Sequence, residues 1–349
     1  MTPSLLVLGG SAFVGHALVE EGLASGWEVT TFNRGQSRGG SRDARVQKLT
    51  GDRLKPETLV ALTERDWDLV VDTWSGAPSA ARAGALALDG RAGRYVYISS
   101  ESVYAPPPPS GVVESAPTVQ GSPDADAGTY AELKRGAEMA ILDTFGERVL
   151  VARSGLILGP HEDVGRLTWW LKRVSHGGTV LAPGPPELPL QYIDARDLAR
   201  FVLDAAGAGH SGVFNVVSRR GHATMASLLE TCVEVAGSGD TELRWLAPSE
   251  VLRAGIEPWT ELPIWIPPED EFAAMHDANV ERAHAAGLRC RALYETVADT
   301  WAWMSALDGP PPLRAGLSAP GLEPERERPH WLGDKAELFS QIPQAQVFG

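Results

Sequence analysis

The chain has 349 residues, 43% hydrophobic and 22% charged, the make-up of a globular protein with room for two domains or one large domain with insertions. Thirty-one basic against 45 acidic side chains leave a formal charge of -14, which repels phosphate backbones and anionic membrane surfaces at long range, so neither nucleic acid nor membrane is expected as a partner. Two cysteines, Cys232 and Cys290, are too few for a disulfide framework or a thiolate metal site and suit a reducing, cytoplasmic setting.

The first apolar run, at residues 4–8, has no basic flank and meets Gly9 and Gly10 at once, so it reads as a parallel strand buried on both faces rather than a signal peptide or a membrane span. Over 13–23 the apolar positions Phe13, Val14, Ala17, Leu18 and Leu23 recur at helical spacing, and Gly26 stands just beyond. Residues 27–32 (WEVTTF) have strand composition and complete a β-α-β unit. The turn of that unit reads GGSAFVG, residues 9–15. Gly9, Gly10 and Gly15 let the backbone amides around Ala12, Phe13 and Val14, and the positive helix end, come close to a pyrophosphate.

The residues after the second strand bear on which dinucleotide is bound. A carboxylate there would accept the ribose hydroxyls of NAD(H); Asn33 and Arg34 stand there instead, and a guanidinium can pair with a 2′-phosphate. NADP(H) is therefore preferred, with NAD(H) still possible. Further strands are predicted at 45–49, 68–71, 94–99 and 148–152, with helices opening at Pro56 and Pro78 and running over 56–62 and 78–88. The alternation predicts an α/β fold with a doubly wound parallel sheet and ligands outside the carboxyl ends of its strands. Asp52 and Asp72 stand at such ends, where cofactor contact and turn capping are both open.

Ser99, Ser100, Glu101, Ser102, Val103 and Tyr104 follow the fifth strand, and a helix predicted over 127–145 carries Tyr130 and Lys134 four apart, on one face. An ammonium beside a phenol favours the phenolate, which makes a tunable acid or base, and a strand-end hydroxyl can hold a substrate oxygen beside it. The alternative is a surface pair of little consequence.

Taken in order, GGSAFVG, SSESVY (99–104), YAELK (130–134), RSGLILGP (153–160) and QYIDARDLA (191–199) resemble the extended short-chain dehydrogenases/reductases, the NAD-dependent epimerase/dehydratase-like superfamily, over roughly residues 4–220. The resemblance implies a Rossmann sheet with a smaller, interwoven α/β substrate lobe. It implies Ser100 as the hydroxyl that polarises a carbonyl, Tyr130 as general acid/base, and Lys134 as the group that tunes it and binds the nicotinamide ribose; Asp52 and Asp72 fall where the family makes cofactor contacts. Residues 1–165 would form the dinucleotide-binding domain, with 191–217 returning to it, and 166–190 and 218–308 the lobe.

Departures from the family pattern narrow the function. Ala12 replaces the middle glycine of G-x-x-G-x-x-G, and Ser100-Glu101-Ser102 lacks the Glu that sugar dehydratases use for elimination, although Glu101 could act as an acid. Leu190 stands where nucleotide-sugar epimerases often carry an arginine for the diphosphate. Together these favour an NADPH-dependent reductase of a small, weakly charged, possibly secondary-metabolite carbonyl substrate over a nucleotide-sugar epimerase or dehydratase; a silent dinucleotide- or RNA-binding relative is the alternative of another class.

In the second half, Trp169, Tyr192, Trp265 and His161 are candidates to line the pocket with Glu101, although large aromatics as readily fill a core. Arg153, after the sixth strand, could meet a substrate anion or pair with a carboxylate. No histidine spacing suggests a metal site. Residues 309–349, rich in proline and charge, read as a solvated tail or an arm for contact with a second copy, a homodimer being possible.

Overall fold

The computed structural model describes residues 2–35 and 43–327. Its centre is a seven-stranded parallel sheet built of β1 (Ser4–Leu8), β2 (Glu28–Asn33), β3 (Gln47–Thr50), β4 (Trp67–Asp72), β5 (Ala92–Ser100), β6 (Val149–Ser154) and a seventh strand, Gly212–Val216. Across the sheet the order is seventh strand, β6, β5, β4, β1, β2, β3. Helices α1 (Phe13–Ala24), α2 (Pro78–Leu88), α3 (Tyr130–Phe145), α4 (Arg166–Ser175) and α5 (Ala195–Gly207) follow. The uninterrupted apolar run of β1 is explained by the two layers that cover it: Leu5 and Val7 pack with Leu18 of α1 and Leu198 and Val202 of α5, while Leu6 and Leu8 face Ala81 and Ala85 of α2 and Ile141 of α3. The doubly wound expectation holds, with the strands shifted at their ends by no more than a few residues.

Two local differences have plain causes. The segment Pro56–Thr63 is 3-10 helical, not α-helical. Helix α3 begins at Tyr130 and not at 127, because the Thr129 side chain accepts from the Glu132 amide while Glu132 reaches back to Thr129. Tyr130 is thereby the first helical residue.

A second core gathers Trp170 and Leu171 of α4, Leu229, Trp265 and Val297. The segment beyond residue 309 is exposed over 312–319, as expected of a solvated arm, but is anchored at single points and buries its last described residues against this core: the Arg314 amide donates to the Asp163 carbonyl, Leu322 is buried, and the buried carboxylate of Glu327 takes both Arg173 and the Leu181 amide. Residues 328–349 lie outside the described residues. Among the described residues no helix is long and apolar enough to cross a membrane.

Helix α3 is locked to the sheet by Glu138, whose carboxylate is fully buried. It accepts two bonds from Arg153 of β6, at 2.9 Å each, the Ser99 hydroxyl of β5 at 2.7 Å, and Arg135. Glu138→Ala leaves the buried guanidinium without its counter-charge and is expected to cost about 3–5 kcal/mol of stability, whereas replacing both members of the pair with leucine and methionine restores most of it; urea denaturation of the three proteins checks this.

Candidate active site

In the order of the sheet the chain leaves β1 toward β2 and returns to β4 on its other side, so the crevice between two oppositely wound halves opens at the carboxyl ends of β1 and β4. The glycine turn occupies that crevice. Gly9 and Gly10 have φ of 126° and 87°, values that L side chains rarely adopt, and a Cβ on Gly15 would stand 2.5 Å from the Gly10 nitrogen. Helix α1 is thus packed down onto the turn. Its N-cap, Ala12, supplies no side-chain hydrogen bond, and no acidic residue stands in the first turn, so the positive end of the helix is uncompensated.

A cavity lies on each side of this turn. The first, of about 160 Å³, is walled by Gly9, Ser11, Asn33, Arg34, Asp52, Arg53 and Trp74. Asn33 donates to the Gly9 carbonyl and accepts from the Gly35 amide, and Arg34 is exposed at the rim. Asp52 accepts from the Leu54 amide, as a turn residue does. Asp72 is corrected to a structural role: fully buried, its carboxylate is held by two bonds from Arg53 at 2.6 and 2.7 Å, by the Tyr95 hydroxyl and by the Trp74 amide, which leaves no face for a cofactor.

The second cavity, of about 380 Å³, brings Phe13 and Val14 together with Ser100, Glu101 and Tyr130, and adds Arg166, Trp259 and Arg314. Ser100 caps the short helical turn Glu101–Val103 by accepting the Ser102 amide. Tyr130 is 50% exposed, its ring in the cavity wall. Lys134, one turn along α3, is buried and does not reach the cavity; its ammonium donates to the carbonyls of Trp74 and Ile98, each at 2.7 Å, and burial pushes its pKa down to about 7. Glu101 enters the same wall through the room left by Gly155, where a Cβ would come 2.9 Å from its Oε2. Its Oε1 has no partner, and burial, with the charge of Glu114 adding, raises its pKa to about 8.

Five expected substrate contacts lie elsewhere. Arg153 is spent on Glu138. Tyr192 and Trp265 are core side chains, the Trp265 indole donating to the Gly184 carbonyl. Trp169 lies against the segment 319–323, away from Tyr130. His161 stacks on His16 of α1 at 3.8 Å between ring centroids, outside the walls of the cavity, and burial with the neighbouring His16 lowers its pKa to about 4. The sequence reading missed Arg166, Trp259 and Arg314. Only Arg166 left a trace: a cation in the first turn of a helix works against the helix dipole and calls for a reason.

A model of the family described as "NAD dependent epimerase/dehydratase family" matches residues 5–217. No protein of curated function matches the chain by sequence. Among solved structures, the chain is similar to the Bordetella bronchiseptica enzyme WbmH in complex with NAD+ (TM-score 0.65, 16% identity, 88% of this chain and 100% of that one). It is similar to a dTDP-glucose 4,6-dehydratase of Bacillus anthracis in complex with NAD (TM-score 0.62, 15% identity, 88% and 98%). It is also similar to the UDP-glucose 4-epimerase of Thermus thermophilus with NAD (TM-score 0.60, 20% identity, 85% and 99%). At these identities the likeness is one of fold.

Because Glu101 holds its proton to about pH 8 in the folded chain against an ordinary 4.5, folding binds a proton between those values and its contribution to stability falls as pH rises through that window. Glu101→Gln is expected to gain on the wild type in urea midpoint from pH 5 to pH 8.

Proposed function

The chain belongs to the NAD dependent epimerase/dehydratase family, and from that premise we propose that it is a nicotinamide-dinucleotide-dependent oxidoreductase that reduces a carbonyl of a small substrate with NADPH. The observation that carries this reading is the single cavity that gathers Ser100, Glu101 and Tyr130 beside Phe13 and Val14 of the glycine turn. The compressed turn and uncapped helix end fit a pyrophosphate, and the side cavity bounded by Asn33 and Arg34, with no carboxylate at the end of β2, fits an adenosine 2′-phosphate. When bound, the dinucleotide supplies hydride to the carbonyl carbon.

The chain's own residues do the rest. Ser100 holds the substrate oxygen by hydrogen bond, and Tyr130 gives it the proton that completes the alcohol. Lys134, buried one helical turn along α3 from Tyr130 and fixed by two backbone carbonyls, sets the face of the helix that presents the phenol to the substrate.

A second reading, an epimerase or dehydratase that regenerates its own cofactor, is favoured by Glu101, an acid with an unpartnered oxygen in the cavity wall, and by the enzymes whose fold the chain shares. The two separate on purification: a recycling enzyme carries stoichiometric dinucleotide, a reductase exchanges it. Tyr130→Phe is expected to leave NADPH binding intact while turnover falls by about 10²–10⁴-fold, and undiminished turnover would remove Tyr130 from the chemistry. In calorimetric titrations, Arg34→Ala should weaken NADPH by about tenfold and leave NADH unchanged; an equal loss for both would return the preference to NAD.

A further inference from the structure

The family model ends at residue 217, yet part of the wall of the Tyr130 cavity comes from residues far beyond it. After the helix Leu293–Ser305 the chain runs from Gly309 to Gly321 as GPPPLRAGLSAPG, with neither helix nor strand, and its Arg314 and Leu317 line the cavity. Proline stiffens both ends of this run. The run is seated at few points. Leu313 and Pro320 rest on Gly165 at the start of α4, where a Cβ would stand 3.1 and 2.8 Å from them. The Gly321 amide donates to the Thr260 carbonyl at 2.7 Å. Between Gly309 and Pro320, all hydrogen bonds to the rest of the described residues come from Arg314. Its amide donates to the Asp163 carbonyl at 2.8 Å, and its guanidinium to the Asp163 carboxylate at 2.9 and 3.2 Å.

Leu317 is 45% exposed and Leu313 39%, so lifting the run gives up little burial. The Arg314 side chain is itself 46% exposed, which leaves the ion pair open to screening by salt. A segment with few buried contacts and few bonds opens locally while the fold around it stays intact. Gly316, with φ of 85°, and Gly309, where an added Cβ would meet nothing, are points at which its backbone can turn.

We propose that residues 309–321 are a lid on the cavity of Tyr130 and that the Arg314–Asp163 pair is its latch. Docked, the lid keeps water and bulky solutes from the reacting groups; lifted, it lets substrate in and product out. This goes beyond the reading above and holds for either reaction, because it concerns access to the cavity and not the chemistry inside it.

Val164 lines the cavity directly after Asp163, so Val164→Cys places a thiol of similar size beside the latch. Two uncharged reagents of the same chemistry, N-methylmaleimide and the bulkier N-(1-pyrenyl)maleimide, are timed against it, and peptide mapping by mass spectrometry separates residue 164 from Cys232 and Cys290. With the lid latched, the small reagent is expected to react about tenfold faster than the bulky one, a preference that vanishes in urea. Asp163→Asn should speed the bulky reagent by about tenfold and the small one by less than about twofold, and raising NaCl from about 0.05 to about 0.5 M with Asp163 intact should act in the same direction. Salt should have no further effect on Asp163→Asn. The salt series needs no change at Asp163 and gives the answer even where that variant folds poorly. Equal rates for the two reagents in the latched protein overturn the lid, as does a bulky-reagent rate that neither salt nor Asp163→Asn changes. Failure of both reagents in Asp163→Asn, when both label residue 164 in urea, overturns it as well. These assays contain no dinucleotide, so a failed lid leaves the catalytic reading standing, and that reading falls separately, on the turnover of Tyr130→Phe.

Discussion

Two ionic side chains on one helix hold the active edge of this protein in place. Lys134 and Glu138 are four residues apart on α3, and both are buried against the sheet: Lys134 donates to carbonyls at the ends of β4 and β5, while Glu138 is held by β5 through Ser99 and by β6 through Arg153. Each charge is costly to bury alone, and each is acceptable only in the geometry that gives it partners. The rotation and depth of α3 are therefore fixed, and with them the place of Tyr130, one turn before Lys134. Strands β5 and β6 pair Ser99 with Arg153 and Ser100 with Ser154, so the same register that feeds Glu138 also delivers Ser100 to the cavity.

The parallel sheet contributes by aligning ends. Leu8 pairs with both Phe32 and Asp72, which brings the glycine turn, the end of β2 and the end of β4 to one rim. The rim is divided between two kinds of polar residue. Some, such as Asp72, Arg53 and Arg153, satisfy one another below the surface; others, such as Ser100, Glu101, Tyr130 and Arg166, remain turned to the cavity with bonding capacity left over. A ligand can be recognised only by the second kind.

That division explains what the amino-acid order made legible. Strands β1 to β6, α1 and α2 were readable because their signals are local: apolar runs closed by glycine, proline at a first helical turn. The placement of Ser100 and Tyr130 followed from motifs lying at strand and helix ends. Asp72 and Arg153 stayed open between a structural role and a cofactor or substrate contact because both stand at strand ends, and the partners that decide for the structural role, Arg53 and Glu138, are brought up only by the fold. Trp265 and Tyr192 show the same limit, since an aromatic side chain that fills a core and one that lines a pocket look alike in a string of residues. Trp259 and Arg314 lie far from α4 in the chain and meet Arg166 only through tertiary packing.

The segment that carries Arg314 and Leu317 comes from near the end of the described chain, yet it closes a cavity whose other walls include Phe13 and Val14 of the first helix. During synthesis on the ribosome the parallel sheet can assemble once its seventh strand has emerged, but the cavity beside Tyr130 is closed only when the segment around 313–322 is released and docks on Asp163 and Thr260. A nascent chain would thus acquire its architecture well before that cavity is complete.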